Sequence, residues 1–343
     1  MGLQISEIIP RKEINFTDLK GKTLAIDASN AIYQFLSTIR QPDGTPLQDS
    51  KGKITSHLSG LFYRNINLML EGMKIIYVFD GKPPELKYNT QAERRQIKDI
   101  AKEKYELAKE SGNEAEMRKY AQQITHLTPE IAAESKELLE AMGVAIIQAP
   151  SEGEAQASEL SKRSDIYAVV SQDYDCMLFG APILVRNLTL SRRKKTAGGF
   201  VSVYPEIIEL EKVLNQLQIS HDQLICLGIL IGTDYNRGGI KGIGPKRALD
   251  IVKRLQYPKL IFDSMQEQIS QQENPFNWEE IFELFKKANV DHNVKIEFPE
   301  INPEKIKKIL MEHDFSEERI ESQLQKLKEV QEGKKQKGIS DYF

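Results

Sequence analysis

The sequence predicts an α/β protein with a central, mostly parallel sheet flanked by helices. Three observations lead there. Short apolar strand candidates alternate with helical stretches from residue 22 to 188, the rhythm of βαβ units. Several of those strands stop abruptly at acidic residues. From 245 to 331 only helical patterns follow.

The elements follow in order. "KTLAID" (22–27) is the first strand, and an apolar helical stretch through Tyr33 and Phe35 comes after it. A second helix covers 56–71 and "KIIYVFD" (74–80) is the next strand. Residues 88–124 are strongly charged, with helix-forming composition and few large apolar residues, so this segment stands off the core. Thr128 and Pro129 open another helix as N-cap and first residue. "VAIIQ" (144–148), "IYAVVS" (166–171) and "ILVRNL" (183–188) read as further strands, with a helix between the first two and helix again from Pro205 onward. Residues 332–343, "EGKKQKGISDYF", read as a flexible tail.

A chain of 343 residues with 40% hydrophobic and 28% charged residues has the composition of a soluble globular protein with a sizeable core. The longest apolar stretch, "LICLGILIG" (224–232), is too short to span a bilayer. The first residues lack the apolar core of a signal peptide, although Gly2 and Ser6 fit the loose myristoylation pattern. Two distant cysteines, Cys176 and Cys226, make no metal-type pair and point to a reducing compartment. The net charge of −3 argues against a nucleic-acid partner at face value. Committing seven carboxylates to metal ions would leave the remainder net positive.

Asp27 ends the first strand, Asp80 the second, and Asp173 and Asp175 follow "YAVVS" two residues apart. Glu152 and Glu154 follow "VAIIQAP", and Asp234 follows the apolar helix at 224–232. In open α/β sheets the ligand crevice lies at the carboxyl ends of the strands, so one crevice can gather these acids. Crowded carboxylates repel and raise each other's pKa values, a cost that divalent cations remove. Oxygen-only donors favour Mg²⁺ or Mn²⁺ over zinc. Each acid also has a structural alternative. "SEGE" makes a capping box from Ser151 to Glu154. Asp27 and Asp173 can cap helices or turns, and Asp80 can open a turn. One such role is unremarkable at a single site, but the same coincidence at successive strand ends favours a shared site.

The motifs "AIDASNAIYQFL", "YVFDGKPPELK", "APSEGEAQAS", "VVSQDYDCMLFG" and "GILIGTDYNRGGIKGIGPKRA", in this order, closely resemble the flap endonucleases of the XPG-type structure-specific nucleases. The resemblance runs from Gly2 to about residue 255 and resumes in the tail. It implies a PIN-like nuclease core: an N-terminal region of about 1–100, a helical arch of about 82–130, an internal region of about 128–255 and a helical region of 256–331. Carried over by motif, the metal ligands are Asp27, Asp80, Glu152, Glu154, Asp173, Asp175 and Asp234. The implied reaction is phosphodiester hydrolysis with two Mg²⁺ ions about 4 Å apart, Mn²⁺ substituting. Lys87 and Arg94, seven apart on one helical face, are assigned to the scissile phosphate; otherwise they are part of a solvated charged helix. Tyr33 matches a base-stacking tyrosine, and its alternative role is core packing.

"GIKGIGPKRA" (239–248) is not a Walker loop, because Pro245 stands where the lysine of that motif belongs. Gly242 and Gly244 form a tight turn, and Pro245 starts a helix whose N–H groups, with Lys246 and Arg247, can hold a phosphate without reading sequence. The resemblance makes this a DNA-binding helix–turn–helix element, often with a bound K⁺ ion. Arg192 and Arg193 in the basic loop "SRRKKTAGG" (191–199) are a second candidate phosphate contact. In the tail, Gln336, Ile339, Tyr342 and Phe343 have the spacing of a box that binds the sliding clamp PCNA. The implied protein is a monomer acting on branched DNA with a 5′ flap in replication and repair. It would be cytoplasmic and nucleoid-associated in a cell without a nucleus, neither secreted nor membrane-bound. A 5′ exonuclease or junction resolvase with the same core is the nearer alternative, and a non-catalytic scaffold for DNA and clamp the farther one.

Overall fold

A computed structural model describes residues 3–41, 44–113, 115–117, 119–120, 127–190, 193–196, 199–272 and 274–340. Seven strands form the main sheet: β1 (Lys12–Glu13), β2 (Thr23–Asp27), β3 (Lys74–Phe79), β4 (Ala145–Gln148), β5 (Ala168–Val170), β6 (Ile183–Arg186) and β9 (Glu206–Glu209). Their order is β1-β9-β6-β5-β2-β3-β4. The β6-β5-β2-β3-β4 pairings are parallel, whereas β9 runs antiparallel to β6 and β1 antiparallel to β9. After β1 at one edge, the chain enters the middle with β2, builds outward through β3 and β4, and then returns to the other side with β5. The order therefore reverses at β2–β5, the place where α/β sheets open a crevice.

Helices cover both faces because strand side chains alternate. Leu24, Ile26, Tyr77 and Val170 pack on one face against α1 (Ala28–Thr38), α2 (Ser56–Leu70) and α4 (Pro129–Ala141). The C-terminal α13 (Pro303–Met311) and α14 (Glu317–Ser340) join that face through Ile306, Leu310 and Ile320. Ala25, Ile76, Val78 and Val169 face the other layer, with α5 (Gly153–Leu160), α6 (Asp175–Leu178) and α8 (His221–Ile231). The helices α9 (Pro245–Leu255), α10 (Pro258–Asp263), α11 (Gln266–Ser270) and α12 (Trp278–Lys286) extend that layer. The charged segment forms the long helix α3 (Tyr88–Glu110), with Ile97, Ile100 and Leu107 exposed, and so stands off the core as expected.

Several elements differ from the sequence reading, among them β1, which it did not foresee, and residues 288–302, which form neither helix nor strand within the stretch read as helical. Residues 206–209, read as helix, form β9, because Ile207 and Ile208 are β-branched and β6 supplies an antiparallel partner; α7 (Leu210–Leu217) starts only afterwards. The basic loop at 191–199 is largely a hairpin of β7 (Arg193–Thr196) and β8 (Gly199–Ser202), with Thr196 opposite Gly199. The expected tail continues α14 as helix to Ser340. Glu, Gln and Lys are good helix formers there, and only Gly333 and Gly338 oppose them strongly. Among the described residues no helix is long and apolar enough to cross a membrane.

Candidate active site

Strand geometry delivers the acids to one end of the sheet. Asp27 is the last residue of β2 and caps α1, its Oδ1 accepting from Asn30 N–H at 3.1 Å. Asp80 follows β3; its Oδ1 accepts the Gly153 N–H at 2.6 Å and its Oδ2 the Ser29 hydroxyl. A carboxylate from one strand thus meets the start of the helix after the next strand, where N–H groups lack intrahelical partners. The capping box between Ser151 and Glu154 does not form. Glu152 is the N-cap residue of α5 without a side-chain cap, and Ser151 Oγ donates to Lys82 O at 3.1 Å. Glu152 and Glu154 are instead buried, at 6% and 8% exposure, and left for the crevice.

Asp175, at 2% exposure, opens α6, and its Oδ1 has no hydrogen-bond partner among the described residues. Asp173 accepts from Asn30 Nδ2 at 3.1 Å. Asp234 is placed by a knot after α8. Asn236 Oδ1 accepts from Thr233 N and Oγ1 at 3.1 and 2.8 Å, and its Nδ2 donates to Ile229 O at 2.7 Å. Gly239, with φ +56°, lies so close to the end of α8 that a Cβ there would sit 2.2 Å from Ile231 C. Gly239→Ala is therefore expected to cost about 2–5 kcal/mol in urea unfolding and to displace Asp234, because backbone must move.

Lys87 reaches into this cluster from the turn that starts α3. Its ammonium bonds Glu152 Oε2 and lies 3.4 Å from Asp234 Oδ2, with the side chain 14% exposed. The solvated-helix alternative does not describe it. Burial works against its charge, but Glu154, Glu152 and Asp234 outweigh that and raise its pKa. Burial, and then Asp80, push Asp27 up to about 8. Burial, followed by Asp173 and Asp234, pushes Asp175 up to about 8. Burial and Asp175 carry Glu154 well above its ordinary value, and burial raises Glu152 despite Lys87. Acids that resist ionisation in one crevice call for a multivalent cation. Among the described residues no three such side chains make a ready-made metal cage. The donor set still fits a divalent cation chemically: it is all oxygen, buried at Asp27, Glu152, Glu154 and Asp175, and includes Asp175 Oδ1, unpartnered among the described residues.

Tyr33 is 46% exposed on α1 while Ile32, Phe35 and Leu36 are buried, so core packing is not its role. Gly242, with φ +82°, and Gly244, the N-cap of α9, lead into Pro245 at its first position, as the spacing requires. Arg247 Nη1 donates to Gly242 O at 3.2 Å, and Lys246 projects outward, 3.9 Å from Glu7. A Cβ on Gly244 would meet nothing within 4 Å, so the approach to this helix start is open. Arg94 falls on α3, Arg193 on β7, and Gln336 and Ile339 on α14. The side chains of these four, and Arg192, Tyr342 and Phe343 entirely, lie outside the described residues. The sequence reading missed Ser29, Asn30, Gly153 and Asn236. The "DASN" turn directly after a strand was the available signal for the first two.

A five-strand parallel core with acids at its carboxyl ends and a charged helix beside them defines the class of XPG-type nucleases. The XPG N-terminal domain matches residues 3–101 and the XPG I-region residues 143–234. Flap endonuclease 1 of Pyrococcus furiosus is 50% identical over all of this chain and 99% of its own length. The solved flap endonuclease-1 of Methanococcus jannaschii is 42% identical, covers 97% of this chain and 100% of its own, and has a TM-score of 0.75. The catalytic core of Rad2 in complex with DNA substrate shares the fold at 22% identity and TM-score 0.69, covering 92% of this chain and 96% of its own. The chain belongs to the flap endonuclease family.

Proposed function

We propose that this chain hydrolyses a phosphodiester bond at the junction of duplex and 5′ flap, with 5′ exonuclease action as a secondary activity. The observation that supports this reading is Lys87 paired with Glu152 and Asp234 beside the switch point of the sheet, where Asp27, Glu154 and Asp175 resist ionisation through burial and neighbouring acids. Asp27, Asp80, Glu152, Glu154, Asp173, Asp175 and Asp234 would hold two Mg²⁺ ions, or Mn²⁺ in their place. Such ions polarise the scissile phosphate and bring the pKa of a bound water near neutrality. Lys87 brings a fixed positive charge to the same crevice, where a phosphate accumulates negative charge in the transition state. Arg94, on the helix that follows Lys87, would add a second. Exposed Tyr33, on the helix that Asp27 caps, offers a ring face for the base beside the cleaved bond. Gly242, Gly244, Lys246 and Arg247, with Arg192 and Arg193, would hold duplex phosphates without sequence preference, and loop carbonyls near Gly242 would take K⁺.

Gln336, Ile339, Tyr342 and Phe343 would dock the enzyme on the sliding clamp PCNA. The protein would act as a monomer in the cytoplasm, at the nucleoid of a cell without a nucleus, removing flaps in replication and repair. Cleavage of a labelled 5′-flap duplex in Mg²⁺ and in excess EDTA, beside a flush-ended duplex and a four-way junction, tests the reading. Metal-dependent release of the intact flap supports it. Mononucleotides from the flush end, or a preference for the junction, would replace it with an exonuclease or a resolvase. Lys87→Met is expected to lower the single-turnover cleavage rate by about 10²–10³-fold. It should also destabilise the metal-free protein by about 3–5 kcal/mol near pH 8, because it leaves the buried carboxylates unbalanced. Single-turnover kinetics and urea titration read the two effects separately.

A further inference from the structure

The first turn of α1 does more than follow Asp27. β2 is the middle strand of the crevice, with β3 on one side and β5 on the other. Consecutive residues of a helix point about 100° apart, so two neighbours can serve opposite sides. Ser29 Oγ donates to Asp80, which follows β3. Asn30 Nδ2 donates to Asp173 Oδ2 at 3.1 Å, in the loop after β5. Asn30 Oδ1 accepts the Gln172 N–H of that loop at 3.1 Å, and Asn30 N–H donates to Asp27 at 3.1 Å. Each of these four hydrogen bonds therefore ends on one of the acids or on the backbone beside one.

We infer that Ser29 and Asn30 are positioning residues that set Asp80 and Asp173 on either side of Asp27 in the geometry a divalent cation needs; this rests on the nuclease reading above. The amide is required at residue 30 because it donates and accepts at once. An aspartate would put an acceptor against the Asp173 carboxylate, and a serine is shorter by the reach that spans to the β5 loop. At Ser29 a single donor suffices, because the second oxygen of Asp80 is held by Gly153 N–H. Groups that orient metal-binding carboxylates are commonly worth about 10–100-fold in metal affinity.

The test is Mn²⁺ binding to the DNA-free full chain, followed by electron paramagnetic resonance, for wild type, Asn30→Leu, Asn30→Ala and Ser29→Ala. Thermal unfolding in EDTA is measured in parallel. Leu keeps the branched shape of the amide without its polar atoms and Ala leaves no bulk, so one variant answers if the other fails to fold. The Mn²⁺ dissociation constant should rise about tenfold or more for both Asn30 variants and by less for Ser29→Ala, at wild-type melting temperature in EDTA. The Mn²⁺ concentration for half-maximal flap cleavage should move by the same factor, with the rate recovered at saturation. Unchanged Mn²⁺ affinity in both Asn30 variants overturns the inference, whether or not cleavage falls. Wild type that binds Mn²⁺ but leaves the flap uncut would sink the flap-endonuclease reading and leave this one standing. Wild type that binds no Mn²⁺ would sink both.

Discussion

Asp175→Asn is expected to reduce metal-dependent cleavage about 10³-fold or more, a barrier increase of about 4 kcal/mol, while raising the melting temperature of the metal-free protein. The two effects have one cause. Asp175 is 2% exposed, its Oδ1 has no partner among the described residues, and burial together with Asp173 and Asp234 disfavours its charge. An isosteric amide keeps the packing, removes the repulsion and offers N–H donors to neighbouring carboxylates. Relief of about 1–3 kcal/mol is a fair scale for one such group. The same amide is a poor ligand for a hard dication. Single-turnover cleavage in Mg²⁺ and thermal unfolding in EDTA measure both sides. Lost activity with a melting temperature at or below wild type would show that the carboxylate is not held against repulsion, and would remove the electrostatic argument for the site.

The metal-free protein is expected to lose stability as pH rises from about 4 to about 8. Asp27 and Asp175 have folded pKa values of about 8 against an ordinary 3.8. Between those values the folded state binds more protons than the unfolded state, so stability falls with rising pH and levels off above the folded pKa. For one group acting alone the full span is worth about 5–6 kcal/mol. Neighbouring sites titrate together, so the total is less than the sum over groups. Excess Mg²⁺ should restore stability, and restore more at pH 8 than at pH 5, because it binds the ionised form. Thermal unfolding across this range in EDTA and in Mg²⁺ gives the slopes directly. Wild type should have a steeper negative slope in EDTA than Asp175→Asn. Equal slopes in the two proteins would rule out Asp175 as a contributor.

Much of this was legible in the chain. Short apolar runs, each reaching an acid at its end or within four residues of it, located β2 to β5, because a doubly covered parallel strand has to be apolar along its length. Thr128–Pro129 marked the start of α4 and Gly244–Pro245 that of α9, since caps are local chemistry. β9 was not legible. "EIIE" is four residues long, and only the edge of β6 makes it a strand. The hairpin at 193–202 escaped for the same reason: its lysines and arginines read as a solvated loop until the two short segments pair.

The sequence by itself determined which acids stand at the ends of which strands, because side-chain period and strand length are properties of the segment. It also determined that oxygen donors alone were on offer. Tertiary structure decided the rest. It made Glu152 and Glu154 crevice residues rather than a capping box, because the helix starts one residue later, with Glu152 as its N-cap, and Ser151 Oγ turns to Lys82 O from another segment. It left Tyr33 exposed, although the helical spacing equally allowed a core position. It brought Lys87 to Glu152 and Asp234, 65 residues from the first of them. It also tied Asn30 to Asp173 across 143 residues. Contacts of that separation depend on how the strands are ordered in the sheet. No local pattern encodes that order, because it is set by the packing of all the elements together.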